Sequence, residues 1–258
     1  MKRLLLFLIF ACSLPAAQWR ADPWEYISGL LGMGQIGLPF PGPGRYAAAP
    51  GIGIVTISPA VLLNTGGTGT ASLSLASTTS SGNHSLFIFG YGTGLNGPPS
   101  ATEVGGSDSI SHNGTVTICY YSQYSTFPCF VDYVCRVSSG VTAISFTGLN
   151  AFSTFSVGAV ELSGLSTGCV EGATAQGSFA AGTFTSSATV SGSSGVLGIA
   201  SSNTGQTITV GSGFTSLLYN STDQTLLVEY LFGVSTNTTV TATCTYTYGG
   251  GLGNIVIQ

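Results

Sequence analysis

The sequence predicts an all-β protein: an antiparallel β-sandwich or jelly roll, preceded by a short helix and a Pro/Gly linker. Three observations carry that reading. From Gly51 onward, apolar residues recur with a period of two. Clusters of Gly, Asn and Ser interrupt these runs roughly every ten residues, the spacing of short strands joined by turns. No segment after Gly32 sustains a helical period.

The first residues read as a signal peptide. Lys2 and Arg3 form a basic start, and Leu4 to Cys12 is an apolar run. Pro15-Ala16-Ala17 supplies small residues ahead of a cleavage expected before Gln18. The run is far short of the ~20 residues that span a bilayer, so no transmembrane segment is expected. Ile9-Phe10-Ala11-Cys12 also resembles a lipobox, which would anchor the chain by a lipid on Cys12. Phe10 is bulky where that motif has a small or branched residue. The expected organisation is a leader over 1–17, a helix and linker over 18–50, and one sandwich domain over 51–258. One all-β domain of about 200–250 residues is a common size.

In the second segment, Asp22 caps a helix, Pro23 fits its first position and Glu25 reaches back to it. Trp24, Ile27 and Leu31 share one face, packed on the domain or offered to a partner, and Gly32 ends the helix. Leu38-Pro39-Phe40-Pro41-Gly42-Pro43-Gly44 is the linker. In the third segment, Ala71, Leu73 and Leu75 alternate with Ser72 and Ser74. Val116, Ile118 and Tyr120 alternate with Thr117 and Cys119. Val240 to Tyr248 is the clearest strand, with Val240, Ala242, Cys244 and Tyr246 on one face and threonines on the other. Leu226 to Phe232 is apolar on both faces except at Glu229, which predicts a central strand. No fixed-period repeat is visible.

Ala159-Val160-Glu161-Leu162-Ser163-Gly164, Gly211-Ser212-Gly213-Phe214-Thr215, and Val228-Glu229-Tyr230 with Val240-Thr241-Ala242-Thr243 resemble a domain of secreted bacterial proteins. Those domains are jelly-roll-like sandwiches of unassigned function, some in surface or carbohydrate-associated proteins. The resemblance spans roughly residues 65 to 258. It implies the fold and carries no catalytic residue.

Charged residues make up 5% of the chain, against about 25% in an average soluble domain. Removing the leader leaves Arg20, Arg45 and Arg136 against nine acids. Three scattered arginines build no basic patch, which excludes nucleic acid and anionic lipid as partners. Water must be met by Ser, Thr, Asn and Gly, a surface suited to the outside of a cell.

Motifs that resemble chemistry fail on context. Gly32-Met33-Gly34-Gln35-Ile36-Gly37 matches a dinucleotide fingerprint, but a helix precedes it and a linker follows. Gly164-Leu165-Ser166-Thr167-Gly168 matches a nucleophile elbow, but Gly-rich sequence follows it and both histidines, His84 and His112, precede it. No His or Cys spacing suits zinc, Asp108 to Gly114 lacks a calcium loop's carboxylates, and no cofactor is expected.

Two constellations remain. Glu161 and Glu229 sit in otherwise apolar strands. Set about 5–5.5 Å apart on a concave face, they would form the acid and nucleophile of a glycosidase; otherwise each serves the structure. Tyr121, Tyr124 and Phe127 lie on a loop whose rings stack on sugar faces or pack within the loop.

The cysteines predict two bridges in an exported chain. Strands over 115–121, 130–136, 141–147 and 153–163, taken as alternately up and down, put Cys119 with Cys129 at one end and Cys135 with Cys169 at the other. Cys244 stays free. The function expected is a non-catalytic extracellular sandwich for surface attachment or glycan binding. The alternatives are an assembly protein that contacts other chains through a sheet face, and a glycosidase built on Glu161 and Glu229.

Overall fold

The computed structural model describes residues 51–93, 99–112, 129–150, 154–179, 182–190, 194–203, 207–222, 224–244 and 250–258. The expected leader, helix and linker lie outside them. Residues Ala48–Gln258 form one compact unit. The described residues are all-β. No helix among them is long and apolar enough to cross a membrane.

Among the described residues the first half carries eight strands: β1 Gly53–Asn64, β2 Ala71–Ser74, β3 His84–Thr93, β4 Ser100–Val104, β5 Ser111–His112, β6 Cys129–Val134, β7 Ala143–Thr147 and β8 Thr154–Ser163. The second half carries eight more: β9 Val170–Phe179, β10 Gly182–Ala188, β11 Ser194–Asn203, β12 Ile208–Thr209, β13 Thr215–Asn220, β14 Gln224–Val234, β15 Thr238–Cys244 and β16 Gly250–Ile257. In the first half the sheets are ordered β1-β8-β3-β6-β5 and β2-β7-β4. In the second they are β9-β16-β11-β14-β13 and β10-β15-β12. Adding eight to each strand number turns the first pair of orders into the second. Among the described residues each half is therefore a jelly roll, and the two stand in tandem.

The registers align the halves residue by residue. Ile88 pairs with Asp132 on one side and Ala159 on the other; Gly198 pairs with Glu229 and Asn254 in the same way. Val131-Asp132-Tyr133 thus corresponds to Val228-Glu229-Tyr230, and Gly158 to Gly253. Burial agrees with the match. Phe87, Phe89, Val160 and Leu162 face a seam between the two five-stranded sheets. So do their counterparts Leu197, Ile199, Ile255 and Ile257.

Four layers result. The seam fills the middle, where β1 packs on β13 and β14 on β3 and β8. A second core lies between the first half's two sheets, with Leu86, Ile88, Phe130, Ile144, Phe146 and Phe155. A third lies within the second half, with Val196, Ala200, Leu227, Val240, Leu252 and Val256. Central strands are covered on both faces, so their sequences are near-continuous apolar runs, as Leu226 to Phe232 is. Outer strands are covered on one face and alternate: Leu73 is buried between exposed Ser72 and Ser74, and Val240 follows exposed Thr239.

β6 and β8 both run antiparallel to β3, so they share a direction and end at the same edge. Cys135 follows one and Cys169 the other. They form a disulfide with a Cα–Cα distance of 5.5 Å. The intervening β7 belongs to the outer sheet, as a jelly roll requires. Cys129 is also disulfide-bonded; its expected partner Cys119 lies outside the described residues.

Candidate functional site

The acids of the central strands take up the chemistry the sequence singled out. Glu161 lies near the end of β8, opposite Leu86 of β3, and is 3% exposed. Its Oε1 meets His84 Nδ1 at 2.7 Å and accepts the Ser80 N–H at 3.1 Å. His84 opens β3 and is partly exposed, so the pair joins a buried carboxylate to a solvent-touched imidazole. Beside it is a water-sized recess lined by Thr56, Ser58, Leu75, Ser77, Thr79 and Leu86.

The hydroxyls there are committed to structure. Ser58 Oγ accepts the Ala76 N–H at 2.9 Å, tying β1 to the end of β2. Thr79 Oγ1 donates to the Ser138 carbonyl at 2.7 Å and accepts the Val141 N–H at 3.1 Å. Thr56 and Ser77 hydroxyls bond each other at 2.9 Å. A His–Glu pair of this kind orients an imidazole, but the recess has no room for a sugar ring.

A second network holds the same half. Glu103 Oε2 accepts the Asp108 N–H at 3.0 Å, and Asp108 Oδ2 accepts the Ser138 N–H at 2.6 Å. Burial raises the Glu103 carboxyl above the ordinary range; the Asp108 N–H opposes the shift and the Asp108 charge adds to it. The chain around Asp108 is thus a loop clamp. No group of three or more potential metal ligands occurs among the described residues.

Glu229 lies in the second half, 1% exposed, where Oε2 accepts the Gly211 N–H at 2.7 Å. Desolvation raises its carboxyl to about 7, and the Gly211 bond works against the shift. The structure does not bring Glu161 and Glu229 together. Glu161 shares the face of Leu86, in the first half's own core, whereas Glu229 faces Gly198 and Val240 in the second half's. Two five-stranded sheets and the seam separate them, so the carboxyl spacing of a glycosidase is not met.

Tyr121, Tyr124 and Phe127 lie outside the described residues. Gly164-Leu165-Ser166-Thr167-Gly168 is the connection between the halves. Gly164 has φ +80°, Leu165 is buried, and the Ser166 N–H donates to the Gln258 carbonyl at 2.6 Å. It is a junction loop rather than a nucleophile elbow. The sequence reading missed the His84 partnership and the Glu103 clamp. A histidine opening one apolar strand and a glutamate near the end of another was the available signal, but only strand order makes them neighbours.

Compared with protein-family models, curated proteins and solved structures, the chain matches none of them. The fold and these sites define a tandem jelly roll whose buried acids serve the two separate cores.

Proposed function

We propose that this chain is an exported, non-catalytic attachment module whose ligand class is carbohydrate. One observation above all supports the reading. Glu161 and Glu229, the acids best suited to hydrolysis, lie in separate cores and are engaged by Ser80, His84 and Gly211. The Cys135–Cys169 disulfide agrees with an oxidising destination. Sugar contacts are assigned to Tyr121, Tyr124 and Phe127, where stacking on aromatic faces needs no catalytic group. A glycan array probed with the chain lacking residues 1–17 tests this. The expected result is binding to a defined set of glycans, lost in the Tyr121→Ala/Tyr124→Ala/Phe127→Ala variant. Unchanged binding in that variant moves the site elsewhere. Polysaccharide turnover abolished by both Glu161→Gln and Glu229→Gln contradicts the non-catalytic reading.

A second reading, assembly with other chains, is favoured by β1. This strand lies at the edge of its sheet, carries no charge, and exposes Val55, Ile57 and Val61. An uncharged apolar edge is suited to pairing with another strand. Sedimentation of the chain and of a Val55→Lys/Ile57→Lys variant tests it. A self-associated species that becomes monomeric in the variant supports assembly, and a monomer in both excludes self-assembly through β1.

A further inference from the structure

Three residues stand abreast in the second half: Glu229 on β14, Gly198 on β11 and Asn254 on β16. Residues directly opposite in antiparallel strands share a face. This face looks into the second half's own core, where Val240 of β15 lies over Gly198. Glu229 leans across the glycine. A Cβ built on Gly198 would sit 2.9 Å from Glu229 Oε1 and 2.5 Å from Val240 Cγ1. The missing side chain is what makes room for the carboxyl.

Glu229 and Asn254 are both fully enclosed. Asn254 Nδ2 donates to Ser186 Oγ at 2.7 Å, and Glu229 Oε2 takes the Gly211 N–H. Two buried oxygens, Glu229 Oε1 and Asn254 Oδ1, are left without a hydrogen-bond partner among the described residues. With Glu229 ionised both are acceptors, and neither can satisfy the other.

Among the described residues no cation pairs with Glu229. Between residues 170 and 258 the sequence has no Lys, Arg or His. On the strands of this half other than β9 and β14, the only ionisable side chains are Tyr219, exposed on β13, and Cys244 at the end of β15. Glu171 of β9 accepts the Ser194 hydroxyl, and Tyr230 of β14 packs toward the seam. An isolated buried carboxylate is costly enough that it takes up a proton instead. The first half repeats the position with a change of size: Asp132 replaces Glu229 and Ile88 replaces Gly198. The long acid meets a glycine and the short acid an isoleucine.

We propose that Glu229 is held as a neutral carboxylic acid whose Oε1–H donates toward Asn254 Oδ1, directly or through one buried water, so that a proton fastens the second jelly roll. Loss of that proton leaves an ion in an apolar core and two oxygens without a donor. The elevation of Glu229 from 4.5 to about 7 by burial fits this role. The folded state then binds a proton that the unfolded state has released between those two values. The stabilisation is complete below pH 4.5 and declines as pH rises through about 7. The folding constant should fall by roughly a hundredfold or more across that window.

The test compares the full oxidised chain with its Glu229→Gln variant in urea unfolding at pH 5 and pH 8. Gln offers an N–H to Asn254 at every pH. The variant is expected to keep only the shallow slope contributed by other acids such as Glu103, and to be the more stable protein at pH 8. Infrared spectra of the wild type, with Glu229→Gln as the subtraction, give a readout independent of stability. A neutral carboxyl band is expected at pH 6 and should vanish by pH 9. Asn254→Leu, which removes the acceptor, should make that band vanish at lower pH. An unchanged pH slope in Glu229→Gln, or no neutral carboxyl band at pH 6, overturns the proposal.

Discussion

Replacing Cys135 and Cys169 together by alanine removes the cross-link between the end of β6 and the junction that leads into β9. The two cysteines are 34 residues apart. Closing a loop of that length in the unfolded chain is worth about 3–4 kcal/mol in the chain-entropy relation. Cys169 is fully buried and packs in the seam, so losing its sulfur adds about 1 kcal/mol. The double variant should therefore lose about 4–5 kcal/mol. Equilibrium urea unfolding without reductant measures this, and the midpoint should fall by about 1.5–2 M. A loss below about 1 kcal/mol, with an unchanged slope, would refute the reasoning: the bridge would then not constrain the unfolded chain as its loop length requires.

Gly90 on β3 lies under the Phe130 ring, where a Cβ would approach Cζ to 2.2 Å. Phe130 is buried against Phe146 and cannot yield freely. Gly90→Ala should cost about 1–3 kcal/mol or more in thermal or urea unfolding, whereas Gly172→Ala, with nothing within 4 Å, should be near neutral. Thiol titration of the denatured, unreduced chain lacking residues 1–17 should find one free cysteine, and peptide mapping should place it at Cys244. Finding Cys244 in a bridge would break the expected Cys119–Cys129 pairing.

The strand periodicity was legible because outer strands such as β2 and β15 have one wet face. Leu73 between serines and Val240 beside threonine obey a rule of period two. The Cys135–Cys169 bridge was legible because it depended only on β6 and β8 sharing a direction, and both are antiparallel to β3. The tandem was not legible. Central strands covered on both faces require apolar residues of suitable size, not particular ones, so Phe87 and Phe89 correspond to Leu197 and Ile199 without identity. What persists is a trace, Val-acid-Tyr on β6 and β14 and the glycine pair Gly158 and Gly253, which strand register picks out. The fate of Glu161 and Glu229 was hidden for a related reason. Each reads as an acid in an apolar strand, and only the four-layer order sends them into different cores.

The claim that two jelly rolls share one apolar seam is tested most directly by cutting between them. Thr167 is exposed in the junction loop, so a protease site inserted there leaves both sets of strands intact. After cleavage the halves remain linked by Cys135–Cys169 until the bridge is reduced. With the bridge reduced under native conditions, the two fragments should still sediment as one body and retain the near-ultraviolet spectrum of the uncut chain. The seam residues Phe87, Phe89, Val160, Leu197, Ile199 and Val228 stay buried against one another. Fragments that separate into two species, each as stably folded alone as in the uncut chain, would contradict a shared seam.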